Sequence, residues 1–276
     1  MKYFVTSFWI FVLCSTALMA QTNYALVFGN SSDYVSFPNA AVSSLTNTAT
    51  FEVWMNPAAN NQTSRIIEHI TANSGDGFLI DLLNGKPRII IGSTALTGTT
   101  SLTANTWYHL ACTSDGSTLS IYVNGVLDVS ALASATFPAN SYSLRLGLDQ
   151  SGGNHFLGQM DEVRIWNIAR TQAQIQSAMY STLVGTETGL TGYWPMNEGS
   201  GTTVSDKCSA GNNGALLNFS LTAASGWVAS SKISLTAPTV GDGSSSNPYR
   251  ITTASNLAWT GQANISFISV WIWDFL

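Results

Sequence analysis

The sequence predicts an all-β fold, a two-sheet antiparallel jelly-roll sandwich carrying one short helix. Three observations carry this reading. Short runs of alternating or β-branched apolar residues recur from Tyr24 to Trp166, each cut off by Gly, Asn, Asp, Ser or Pro. Two dipeptides, Asn84-Gly85 and Asn124-Gly125, sit between such runs, and a type I′ hairpin turn needs positive φ at both central positions, which Asn and Gly tolerate best. Of 276 residues 45% are hydrophobic and only 9% charged, against about a quarter charged in an ordinary globular domain. A packed core is therefore available, and Ser, Thr, Asn and Gly must wet the surface. Many short strands with turn signals between them favour stacked antiparallel sheets over βαβ units.

In chain order, strands are expected at 24–28, 34–37, 50–56, 65–70, 77–83, 88–91, 107–113, 119–123, 126–129, 141–148 and 160–166. One helix is expected at 171–180: Thr171 can cap it, and Ile175 and Met179 share a face. Residues 189–217 return to β texture around Tyr193-Trp194, and the sandwich is expected to span 21–230. Residues 1–20 read as a signal peptide, with Lys2, an apolar run from Phe8 to Leu13 and small residues up to Ala20. That run is shorter than the roughly 20 residues a membrane span needs, so no transmembrane segment is expected after cleavage. Residues 231–248 read as a linker, and 249–276 as the incomplete start of a second module with an apolar, uncapped end.

Composition also excludes functions. With 10 Lys+Arg against 15 Asp+Glu, a net charge of -5 and no basic run, the chain lacks the clustered cations that nucleic acid binding requires. No Gly-rich phosphate loop, Gly-x-Ser-x-Gly elbow or Cys-x-x-Cys is present. Glycoside hydrolysis needs two carboxyl groups at a set separation. Glu52 stands alone and reads as the polar half of a strand alternation, while Asp161 and Glu162 are adjacent and in a regular strand would face opposite ways. His69, His109 and His155 have no partners at triad or metal spacing and read as polar loop residues.

Export permits a disulfide between Cys112 and Cys208, but Cys112 suits a strand as a small core thiol and Cys208 falls in a polar loop, so a bridge and two free thiols both stay open. Trp54, Trp107, Trp166 and Trp194 lie in strand-like runs, and three of the four are expected in the core. The better ligand surface is the 149–155 loop, with Asp149, Gln150, Asn154 and His155; loops 60–62 and 73–76 are alternatives.

Five segments occur in the order and spacing of a known family: Ala25-Leu26-Val27-Phe28-Gly29-Asn30-Ser31-Ser32-Asp33-Tyr34-Val35, Phe51-Glu52-Val53-Trp54-Met55, Trp107-Tyr108-His109-Leu110-Ala111, Ile121-Tyr122-Val123-Asn124-Gly125, and Phe156 to Asn167 with Gly158-Gln159-Met160-Asp161-Glu162-Val163. Together they resemble LamG-like jelly-roll domains of the concanavalin A-like lectin/glucanase superfamily. The resemblance implies a concave sheet face and an exported, noncatalytic module that binds a glycan or a surface protein, in a bacterial secreted or cell-surface protein. It leaves a glycoside hydrolase and a structural spacer as alternatives. It also implies a structural Ca²⁺ held by Asp33 and Asp161, with Gly29 or Asn30 lending a backbone carbonyl. Residues 241–259 resemble the opening of repeat modules in bacterial surface adhesins.

Overall fold

The computed structural model describes residues 23–71 and 75–230; the expected signal peptide, linker and second module lie outside the described residues, as do Asn73 and Ser74 of one candidate loop. The strands are β1 (Tyr24–Phe28), β2 (Tyr34–Phe37), β3 (Thr48–Pro57), β4 (Ser64–His69), β5 (Phe78–Leu83), β6 (Lys86–Ile91), β7 (Thr94–Thr97) and β8 (Tyr108–Asp115). They continue with β9 (Thr118–Val123), β10 (Val126–Leu132), β11 (Leu144–Leu146), β12 (Gly158–Trp166), β13 (Leu190–Trp194), β14 (Thr203–Val204), β15 (Gly214–Leu217) and β16 (Gly226–Ala229). Helix α1 (Gln172–Ala178) lies between β12 and β13, and a 3-10 turn covers Asn39–Val42.

Two antiparallel sheets form the sandwich. The first runs β10-β9-β8-β3-β12-β1-β16, with β13 also paired to β12; the second runs β14-β15-β2-β11-β4-β5-β6-β7. Both Asn-Gly turns form as expected, with φ of 53° and 77° at Asn84-Gly85 and 52° and 73° at Asn124-Gly125. The inward residues of each alternation meet between the sheets, where rings pair across the gap: Phe51 with Phe78 at 4.9 Å and Phe37 with Trp194 at 4.4 Å. Trp54, Trp166 and Trp194 are buried and Trp107 is half-buried, the expected three of four. The first and last strands close the first sheet together, with Tyr24 opposite Ala229 and the Ser230 N–H donating to the Asn23 carbonyl. Among the described residues no helix is long and apolar enough to cross a membrane.

Several expectations need correction. The 141–148 strand contracts to β11, because side chains of Asn140 and Asp149 bond the backbone on either side of it into turns. Four short strands, β7 and β14 to β16, carry too little alternation to be read alone. Cys112 and Cys208 are both buried and free, so the bridge is not formed. Cys112 points into the core from β8, whereas Cys208 lies in the loop between β14 and β15, its N–H donating to Asp206. His69 and His109 are not loop residues but buried strand residues.

Glu52 is likewise not a solvated half of an alternation. It is fully buried on the outer face of the first sheet, with His109 Nε2 at 3.2 Å, Arg170 Nη1 at 2.6 Å and Arg164 Nη1 at 3.8 Å. Nor is β12 regular at Asp161-Glu162: a bulge with Glu162 at φ 55° interrupts the register. Glu162 therefore joins the same outer face, accepting from Arg164 Nη2 at 2.8 Å and from the Tyr193 hydroxyl at 2.9 Å.

These charges dock α1. Arg164 donates to the carbonyls of Ala178 and Ser181, Arg170 to that of Gln174, and Trp54 Nε1 to that of Met179. Thr171 and Gln174 form a capping box at the start of the helix, and Ile175 and Ala178 are its buried residues. The helix comes so close to the β9–β10 turn that a Cβ on Gly125 would lie 2.9 Å from Gln176 Cγ. The middle of the first sheet's outer face, over Trp54 and Arg164, is thereby covered.

Burial alone would raise the Glu52 carboxyl, but His109, Arg164 and Arg170 outweigh it and hold it at about 2. A depressed carboxyl stabilises the fold above its ordinary value of 4.5 and loses that contribution as pH falls toward 2. Glu52→Gln should cost about 3–5 kcal/mol at pH 7, because it strands buried cations. Urea denaturation should show this gap, and show it narrowing between pH 4.5 and 2.

Candidate functional site

The second sheet is built differently on its outer side. Ile67, Ile80, Leu82, Ile89 and Ile91 point into the core from β4, β5 and β6, so Glu68, Asp81 and Arg88 take the opposite face by the period of two. A bulge between Arg65 and Ile67 sets Arg65 opposite Asp81 on that same face. On β11, Leu144 and Leu146 face inward and Arg145 outward; on β2, Val35 and Phe37 face inward and Tyr34 outward. The register places Arg145 opposite Glu68, and Asp81 between Arg65 and Arg88.

The result is a polar ladder across five strands. Arg88 grips Asp81 with Nε at 2.9 Å and Nη2 at 2.6 Å, and Arg65 Nη1 donates to the same carboxylate. Arg65 Nε donates to Glu68 at 2.6 Å, and the other Glu68 oxygen accepts the Gln150 N–H at 2.7 Å. Arg145 Nη1 donates to the Asp149 carbonyl at 3.0 Å, and its guanidinium lies 4.7 Å from the centre of the Tyr34 ring. None of these side chains bonds to α1. The carboxylates are sunk, Glu68 to 1% and Asp81 to 0% exposed, while Arg65 keeps 12% and Arg88 19%.

Burial raises the Glu68 carboxyl to about 7, more than the Gln150 N–H and Arg65 can offset. Arg88 is raised, chiefly by its bonds to Asp81. Asp149 is lowered: burial would raise it, but donors from Gly153, Ser151 and Asn154 prevail.

The 149–155 loop is a support for this ladder. Asp149 is buried, and its carboxylate accepts from the Ser151 N–H and hydroxyl, the Gly153 N–H and Asn154 Nδ2 at 2.6–3.0 Å. Gln150 contributes its backbone to Glu68 and its side chain to the Ser143 carbonyl. Asn154 is exposed, at φ 45°, and its carbonyl accepts the Arg65 N–H; His155 is half-buried. The 60–62 loop adjoins it, Gln62 bonding Leu157 with both ends of its amide, whereas Asp76 binds Thr71 beyond the far end of β4. Sequence reading missed Arg65, Glu68, Asp81, Arg88, Arg145 and Tyr34. A signal existed: in a chain with only 10 Lys+Arg, Arg65, Arg88 and Arg145 each sit in a strand directly beside aliphatic residues.

A profile of the laminin G type within the concanavalin A-like lectin/glucanases superfamily matches residues 28–176. The chain belongs to this superfamily. No curated protein sequence matches it. Among solved structures, it is similar to a candidate carbohydrate-binding protein from Bacteroides ovatus ATCC 8483 at 24% identity and TM-score 0.60, over 71% of this chain and 58% of that one. It also resembles domain 4 of AbnA, a GH43 extracellular arabinanase from Geobacillus stearothermophilus, in complex with arabinotriose (24% identity, TM-score 0.40, 48% of this chain and 66% of that one). A third is the CBM40 of the Ruminococcus gnavus IT-sialidase bound to α2,3 sialyllactose (12% identity, TM-score 0.46, 55% and 95%). The first of these likenesses shows the fold alone. This chain spans 58% of the length of the Bacteroides ovatus protein.

The calcium set that the family resemblance implies is not assembled in this concanavalin A-like domain. The Asp33 carboxylate closes its own turn, accepting from the Gly29 and Asn30 N–H groups at 2.9 and 2.8 Å and from the Ser225 hydroxyl at 2.7 Å. Gly29 and Asn30 thus present N–H groups, not carbonyls, to it. Asp161 stands at the other end of β1, beside Asn23 and Ser230. Leu26 pairs with Met160, so Asp161 is level with Ala25, and four residues of strand, about 14 Å, separate it from Gly29. Among the described residues no three of His, Cys, Asp and Glu gather as a metal site. The four residues do not fit one shared ion.

Asp33→Ala should destabilise the domain by about 1–3 kcal/mol, from buried donors left unpaired. Urea denaturation should return the same loss in excess calcium and in chelator. A second outcome follows from Glu68. Its raised carboxyl contributes stability below 4.5 that is lost as pH rises through 7, so Glu68→Gln should flatten the fall in melting temperature over that window.

Proposed function

We propose that the chain is an exported, noncatalytic carbohydrate-recognition module of a secreted or cell-surface protein, and that its glycan rests on the outer face of the second sheet. One observation carries this: the middle of the first sheet's outer face is taken by α1 and its ion cluster, while the second sheet's outer face presents the five-strand ladder with guanidinium groups partly exposed. A row of fixed N–H donors beside a tyrosine ring is what a sugar needs, since its hydroxyls accept hydrogen bonds and its C–H faces stack on aromatic surface. Asp149 and its loop hold Arg145 and Glu68 in place, which lowers the ordering cost of binding. The family membership and the likeness to the Bacteroides ovatus carbohydrate-binding protein support the same class of partner.

Hydrolysis is disfavoured by geometry. Arg65 bridges Glu68 and Asp81, and Arg164 bridges Glu52 and Glu162, but all four carboxylate side chains are at most 6% exposed and locked in ion pairs. A glycosidase needs its carboxyl pair open to the scissile bond.

A glycan array probed with the purified chain should give binding. Tyr34→Ala and Arg145→Ala should each weaken it about tenfold, with little change in melting temperature, given about 1.5–3 kcal/mol for a charged hydrogen bond. Absence of any glycan bound, with or without calcium, would leave the spacer or protein-binding alternatives, and unaltered binding by both variants would move the site elsewhere.

A further inference from the structure

We propose that the sugar taken by this face is acidic, a uronic acid whose carboxylate seats on Arg65 and Arg88. The inference rests on the glycan-binding reading above and adds the ligand's chemistry. It follows from how the ladder distributes donors and acceptors.

The two carboxylates have no capacity turned outward. Asp81 accepts three guanidinium bonds and Glu68 accepts Arg65 Nε and the Gln150 N–H, and both side chains lie beneath the arginines at 0–1% exposure. The arginines are the reverse. Arg88 uses Nε and Nη2 on Asp81, and Arg65 uses Nε and Nη1, so that Arg88 Nη1 and Arg65 Nη2 enter no hydrogen bond among the described residues. On the neighbouring strand, Arg145 Nε is buried without a hydrogen-bond partner. The Arg65–Arg88 pair therefore turns N–H donors outward, flanked on this face by the hydroxyl groups of Ser36, opposite Arg145, and Thr97, opposite Arg88.

Sugar hydroxyls donate as well as accept, and the outward guanidinium N–H groups of Arg65 and Arg88 serve only their accepting side. A carboxylate only accepts, and its planar pair of oxygens matches two guanidinium N–H groups. The buried Asp81 and Glu68 fix the orientation of Arg65 and Arg88, so the donors are aimed before the ligand arrives. Asp81, bonded to both arginines, also offsets part of their charge, which leaves hydrogen-bond geometry to help select the ligand.

The test pairs uronic acid oligosaccharides (galacturonate, glucuronate and mannuronate series) with their carboxyl-reduced counterparts, titrated calorimetrically into the purified full chain. At least one acidic series should bind about tenfold or more tightly than its reduced form. Arg88→Gln should remove that preference, so that the acidic and reduced forms bind alike. Arg88→Lys keeps the charge that offsets Asp81 but not the planar fork, and should restore only part of the preference; it also serves if the Gln variant fails to fold. If reduced and acidic forms bind alike, or if Arg88→Gln weakens both equally, the acidic assignment is overturned and glycan binding stands. If neither form binds and the wider glycan array is also blank, both fall.

Discussion

The fold is organised around one buried carboxylate. Glu52 sits at the centre of the first sheet with no exposure and is surrounded by His109, Arg164 and Arg170. An isolated charge in that position would be prohibitive, and the cations that neutralise it must themselves be satisfied. Arg164 and Arg170 turn Nη groups to the carbonyls of Gln174, Ala178 and Ser181, which belong to α1 and the residues after it. Covering Glu52 thus dictates where the helix lies, and with it that the middle of this sheet's outer face is occupied.

The same pairing of guanidinium with carboxylate occurs on the other sheet to the opposite end. Arg164 Nη2 is consumed by Glu162 and the Ser181 carbonyl. Arg65 and Arg88 have carboxylates beneath them but no backbone above. What distinguishes the two clusters is the presence or absence of a segment to absorb the remaining N–H groups. In the low dielectric of a half-buried ladder those groups are costly to leave dry and valuable to a ligand that fills them.

Local features were legible in the sequence. β1 and β2 match their expected bounds, the two Asn-Gly turns adopt the conformation their residues favour, and α1 starts at the cap that Thr171 provides. Partnerships made by register were not. Arg170 meets Glu52 across 118 positions and Arg88 meets Asp81 only because two strands align them. The bulge at Glu162 is invisible to a period-of-two argument, and it moved a carboxylate to the face the alternation denied it. The 149–155 loop stands out in the sequence for its polar residues, but those residues mostly face one another and hold the ladder, which lies in the strands.

The pairing of β1 with β16 has a mechanical meaning. Tyr24 lies opposite Ala229, and the backbone of Ser230 bonds that of Asn23, so the chain enters and leaves the described sandwich at one corner. Tension carried through both ends would load the hydrogen bonds between these strands one after another, like a zipper, and not all together in shear. A domain wired this way resists pulling poorly when it stands in series with its neighbours. It does, however, add almost no length to the path of a chain that passes through it, which suits a side-mounted reader better than a strut.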